Sequence, residues 1–182
     1  VNSGNLAETQ KYVTTFFDRN KDIIAVYLPG SSRIFVNNPF AIANEITSSF
    51  LTSYVESEEE ALKKAADGVF DIENASPFFQ FPVLAMFYPL DYSSEDTSVV
   101  VVYSAENLAN SFSAGSVNQS FLVNADGEVL VHPDLSYMLT AADVSNSPIV
   151  LQILSDNQPS EQFYYKDADG VEFIGAYNRL NN

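Results

Sequence analysis

Outside its carboxylates the chain has few side chains that could do chemistry, and the least replaceable is a lone histidine. His132 is the only histidine and cysteine is absent. No imidazole pair or thiolate set can therefore hold zinc, an iron–sulfur cluster or a catalytic thiol. A serine–histidine–aspartate relay would have to run through His132, yet no serine sits in a nucleophile-elbow sequence. His132 instead ends a strand just before Pro133-Asp134, a place suited to hydrogen bonding or packing. Glycine-rich phosphate loops are missing as well. Paired carboxylates can hydrolyse glycosides, but the acidic residues here fall in turns and exposed helix, where they are ordinarily solvated. Asp167-Ala-Asp-Gly170 invites a calcium reading. Setting Gly170 at the sixth position of an EF-hand loop puts Tyr165 first and Ala176 twelfth, where Asp and Glu are needed. Gly127 does no better, with Leu122 first and Pro133 last. Asp167 and Asp169 could offer at most a weak calcium contact. The expectation is no enzyme, no cofactor and no metal site. Arg33 is one of only three arginines and lies beside Ile34 and Phe35; it either faces solvent or holds an anion.

The elements that must position these residues can be read from periodicity and turns. Leu6, Tyr12, Val13, Phe16 and Phe17 recur near helical spacing, which predicts a helix over 5–21. Residues 22–28 and 33–36 read as strands around a Pro29-Gly30 turn. A helical stretch over 39–66 comes in two pieces. Ser57-Glu-Glu-Glu60 has the form of a capping box, and Gly68 ends the second piece; this accounts for the three glutamates without assigning them chemistry. Apolar strands are predicted over 81–92 and 98–103 with an acidic loop at 93–97, then a short amphipathic helix over 104–112. After a linker at 113–116 come a hairpin over 119–132, a helical stretch over 134–156 and a hairpin over 161–178. Gly127 and Gly170 occupy turn positions that favour φ > 0.

Charge removes further classes. A formal charge of −16 over 182 residues opposes nucleic acid, which needs clustered Lys and Arg, and opposes adsorption to an anionic membrane. The longest apolar run, 81–90, contains Pro82 and Pro89 and is too short to span a bilayer. With Val1 first and no secretory leader, the chain is expected to be a mature or excised piece whose membrane anchor lies outside it.

The order strand (Ser98-Val-Val-Val-Val-Tyr103), helix (Ser104-Ala-Glu-Asn-Leu-Ala-Asn-Ser-Phe112), Ser120-Phe-Leu-Val-Asn-Ala-Asp-Gly-Glu-Val-Leu-Val-His-Pro-Asp134, helix, and Tyr165-Lys-Asp-Ala-Asp-Gly170 through Gly175-Ala-Tyr177 resembles the centre of Cache domains, the PAS-like extracytoplasmic sensors of bacterial receptors. The likeness is firm over 97–180 and looser before that. It implies an α+β fold of antiparallel sheets flanked by helices, with a long N-terminal helix. Two modules are favoured over a single Cache domain: residues 1–115, with the helix and a membrane-distal module, and 116–182, a second module incomplete at its C-terminus. Both later hairpins are expected in one sheet.

The resemblance also implies a function and a site. Such domains lie in the periplasm or outside the cell as inputs to chemotaxis receptors, histidine kinases of two-component systems or nucleotide cyclases. The membrane is met only through flanking segments, and the runner-up role is a ligand-free dimerisation module joined through the N-terminal helix. PAS-like sheets bind small molecules on one face, under the helices and loops joining the second and third strands. That face is expected to gather Tyr27, Arg33, Met86, Tyr88 and Tyr103 into one pocket, with Phe78-Phe79-Gln80-Phe81 at its rim. Met86 and Tyr88 share strand parity. Amino-acid-binding Cache domains place an aspartate on the last strand of the first module with a tryptophan nearby; here Tyr103 stands close to that position and tryptophan is absent. An anionic or neutral metabolite is therefore expected rather than an amino acid.

Overall fold

The structure, a computed structural model, describes residues 3–90, 97–113, 120–166 and 170–180. Asp167 and Asp169, most of the acidic loop (93–96) and the linker residues 114–116 lie outside them. Along the chain run α1 (Ser3–Arg19), β1 (Ile23–Leu28), β2 (Arg33–Val36), α2 (Asn38–Ala43), α3 (Ser48–Ser57), α4 (Glu59–Ala66), β3 (Asp71–Asn74), α5 (Ser76–Phe79), β4 (Val83–Pro89) and β5 (Ser98–Ser104). There follow α6 (Glu106–Phe112), β6 (Leu122–Val123), β7 (Val129–Val131), α7 (Leu135–Leu139), α8 (Pro148–Ser155), β8 (Ser160–Lys166) and β9 (Glu172–Asn178). The class is α+β, as the patterning predicts.

Five strands form one antiparallel sheet in the order β2-β1-β5-β4-β3. Because side chains alternate across a strand, register fixes which residues share a face. Ala25 and Tyr27 lie opposite Val102 and Val100, and these in turn lie opposite Ala85 and Phe87. This apolar face packs against Leu51, Tyr54 and Val55 of α3 and Ala61 and Ala65 of α4, all buried. Fully burying each large aliphatic side chain stabilises the fold by roughly 1.5–3 kcal/mol. A second core covers part of the opposite face. Leu84 of β4 meets Ala105, which precedes α6, Ala109 within it, the three valine and leucine residues of β7, and Met138.

Several local readings need correction. The hairpins β6-β7 and β8-β9 form separate two-stranded sheets and do not share one. The stretch over 39–66 holds three helices, because Asn37 caps α2 and Thr47 caps α3, each accepting a bond from the Phe three residues on. Ser57 is no cap: α3 runs through it, and its Oγ donates back to the Tyr54 carbonyl oxygen at 2.6 Å. Gly68 does end α4. Its φ of +88° lets Gly68 N–H and Val69 N–H reach the carbonyls of Ala65 and Lys64, the double bond of a Schellman motif. In the 124–127 turn, Asn124 Oδ1 accepts from Asp126 N–H and Glu128 N–H at 3.0 and 2.9 Å, and Gly127 takes φ +87°.

Candidate functional site: an acidic cleft beside the third strand

Strand β3, Asp71-Ile-Glu-Asn74, is an edge strand that the sequence pattern does not announce, since a single apolar residue gives no alternation. Register places Asp71 and Glu73 opposite Phe87 and Ala85, hence on the face that carries the helices. Ile72 and Asn74 turn to the other face, where Asn74 acts as a joint. Its Nδ2 donates to the carbonyls of Val129 and Met138 at 2.9 and 2.7 Å, while its Oδ1 accepts from Ser76 N–H at 3.0 Å. The 124–128 turn is thereby drawn up beside β3.

The result is a cleft of about 570 Å³ whose walls come from α3, α4, β3, the start of α5 and the 124–128 turn. Six carboxylates line it, from Glu58, Glu60, Asp71, Glu73, Asp126 and Glu128, against the single cation Lys64. Lys64 is already engaged: its Nζ lies 2.8 Å from Asp71 and 3.8 Å from Glu60. Glu58 sits at the break between α3 and α4, where it caps neither helix with its side chain. Its carboxyl meets that of Glu73, and burial, the Glu58 charge and the shared hydrogen bond push Glu73 up to about 7 from 4.5. Near neutrality Glu73 is therefore partly protonated.

Apolar surface adjoins the acids. Tyr54 stacks at tilted angles on Phe78 and Phe79, with centroids 5.1 and 5.2 Å away. Tyr54 is only 2% exposed, and its hydroxyl opens on the cleft with no hydrogen-bond partner among the described residues. Burial, followed by the charges of Glu58 and Glu73, raises its pKa, so the hydroxyl stays protonated. Phe78 is 39% exposed beside it. Among the described residues no three acidic or imidazole groups converge closely enough to hold a metal ion. The cleft can desolvate and pair an organic cation.

Compared with known protein families, curated proteins and solved structures, the chain finds no match. Its function must be argued from the site itself.

The five residues expected to form one pocket do not converge. Met86, Tyr88 and Tyr103 do come together on the sheet face away from α3 and α4, and line a groove of about 440 Å³ with Arg19, Lys21 and Asp22. There the Tyr103 hydroxyl donates to Asp22 at 3.5 Å, and Asn107 Nδ2 holds the other carboxylate oxygen at 2.8 Å. Tyr27 is on the opposite face, 4% exposed in the main core, because it pairs with Val100 and not with Val99 or Val101. Arg33 lies on the outer strand, exposed, with Nε donating to Ser31 Oγ at 3.0 Å. It lines neither cleft. Phe78 does reach a rim, that of the acidic cleft. His132 has the packing role its position suggests: its ring stacks on Tyr137 at 4.3 Å, and Nδ1 accepts from Asp134 N–H at 2.9 Å. Sequence reasoning missed Tyr54, Glu58 and Glu73. The one available signal was the pair of acids spaced by two in Asp71-Ile-Glu73, which on any strand must share a face.

Proposed function

We propose that this chain is the small-molecule-sensing input domain of a bacterial membrane receptor, of the Cache kind and working outside the cytoplasm. The observation that carries the reading is the cleft beside β3. It is concave and mixes polar with aromatic walls, which is the usual make-up of a ligand site. Its place supports the same reading, since α3 and α4 belong to the connection between the second and third strands of the sheet. A ligand there would touch α3, β3 and the 124–128 turn together. It would favour whichever arrangement of those elements binds it best, which is how an input domain passes on a signal. No described helix is long and apolar enough to cross a membrane, so coupling to a bilayer would fall to flanking segments.

The runner-up is a dimerisation module, and one observation favours it. Tyr12 and Phe16, one helical turn apart on α1, are 68% and 42% exposed. A thermal-shift panel of anionic, neutral and cationic metabolites separates the two readings. Binding to the folded state alone raises stability by about 2.7 kcal/mol at a hundred times Kd, an easily seen rise in melting temperature. The sensing reading fails if no compound stabilises the wild type while Tyr12→Ser/Phe16→Ser turns a dimer into a monomer.

A further inference from the structure

We infer that the acidic cleft is a binding site for a primary alkylammonium, held by the carboxylates of Glu58 and Glu73 and the hydroxyl oxygen of Tyr54. The inference rests on reading the cleft as a ligand site, and it names the chemical class that site takes. Three independent features converge on it. The sign of the cleft is set by six carboxylates around one lysine that already serves Asp71 and Glu60. Tyr54, only 2% exposed, lines the same space, and its hydroxyl has no hydrogen-bond partner among the described residues, leaving its oxygen open to a donor. Phe78, packed on Tyr54 and 39% exposed at the cleft, offers aromatic surface for the alkyl part and for cation–π attraction.

The donor count selects within the cations. A primary ammonium carries three N–H donors, matching one oxygen each from Glu58, Glu73 and Tyr54. A quaternary ammonium carries none and would leave the Tyr54 hydroxyl without a donor. A divalent metal would need three converging ligands, which the described residues do not supply. The outer acids Asp126 and Glu128 on the turn give a second positive group a place to pair, so a diamine should outrank a monoamine. This differs from the anionic or neutral ligand expected from sequence, which rests on Arg33 and on the lack of an acid and a tryptophan at the last strand.

Proton competition should accompany binding. Burial and the neighbouring Glu58 raise the pKa of Glu73, so an ammonium bound there should displace the Glu73 proton. The other ionisable groups facing the pair are Tyr54 on α3, Glu60 and Lys64 on α4, and Asp71 on β3, with Asp126 and Glu128 across the cleft. Of these, Lys64 alone opposes a cation, and Asp71 neutralises it.

Calorimetric titration of the folded domain with 1,4-diaminobutane, butylamine, choline and succinate tests the proposal. Diaminobutane should bind best, and more tightly at pH 8 than at pH 6. Losing one charge-assisted bond in Glu73→Gln should weaken it roughly tenfold or more, and Tyr54→Phe, which keeps the ring packed, severalfold. Choline binding as tightly as diaminobutane would overturn the donor-matching argument. Succinate binding lost in Glu73→Gln and Phe78→Ala would overturn the cation class yet keep the cleft as a sensor site. Diaminobutane binding untouched by all three substitutions would overturn the site. Absence of diaminobutane heat up to about 10 mM, weaker than the millimolar range of low-affinity ligands, in a protein that melts cooperatively would overturn the proposal outright.

Discussion

Among individual residues, Glu73 has the most measurable behaviour. Its folded pKa stands at about 7 against an ordinary 4.5, raised first by burial and then by Glu58. A carboxyl whose pKa rises on folding favours the folded state while it is protonated. Its contribution is complete below about pH 4.5 and fades as the pH climbs through 7. Glu128 shifts in the same direction, through burial and then Asp126 and Asp143. Asp134 is lowered by hydrogen bonds from Ser136 and Asp143 by hydrogen bonds from Ser145, and each loses its contribution only as the solution becomes more acid than its ordinary range. Melting curves of wild type and Glu73→Gln between pH 4.5 and pH 8 should therefore diverge. The wild type should lose stability relative to the variant as pH rises, with most of the change between 5 and 7.5. Parallel curves would mean that Glu73 is an ordinary solvated carboxylate.

At the level of elements, the short edge strand β3 carries more than its four residues suggest. Asn74 bonds two carbonyls, one on β7 and one at the end of α7, and organises the start of α5. Asn74→Ala would remove all three bonds and, although the Met138 carbonyl keeps Ala141 N–H, would cost roughly 1–3 kcal/mol. Urea denaturation should show that loss with an unchanged slope, and a loss under about 0.5 kcal/mol, the scale of an ordinary surface change, would contradict the joint. The sequence hid this strand for a physical reason. Its two outward acids face the cleft and its one apolar residue faces the second core, so neither strand alternation nor an apolar run emerges. Longer elements were legible because one face of each is apolar: α1, β1, β4 and β5 fall within a few residues of their predicted spans. The triple glutamate misled in the opposite way. Ser57 fits the cap pattern, but α3 continues through it and the break falls at Glu58. Parity within one strand correctly joined Met86 to Tyr88. Parity between strands needs register, and the irregularity between Ile23 and Ala25 makes that register unreadable for Tyr27. Glu58 and Glu73 meet only in three dimensions, so no spacing could have paired them.

Over the whole molecule, hydrophobic packing runs across the boundary at residue 115 that the sequence suggests. Leu84 and Ile72 from the sheet pack with Val129, Leu130, Val131 and Met138 from the later segment. The main core and this second core share β4, whose alternate residues serve one and then the other. Shared packing of this kind should melt as one cooperative transition, with calorimetric and van't Hoff enthalpies in agreement. Two resolved transitions would show that residues 1–115 fold independently. The two turn glycines, alike in sequence, differ in what surrounds them. Both take positive φ, but a Cβ at Gly170 would meet nothing within 4 Å, whereas one at Gly127 would lie 2.7 Å from Ser145 Cα and Cβ. A saturation library sorted for folded protein should thus return asparagine and aspartate beside glycine at position 170, since both tolerate the left-handed region. At position 127 it should return glycine alone. A length of chain reaching to Ser145 closes that turn to every other amino acid of the genetic code.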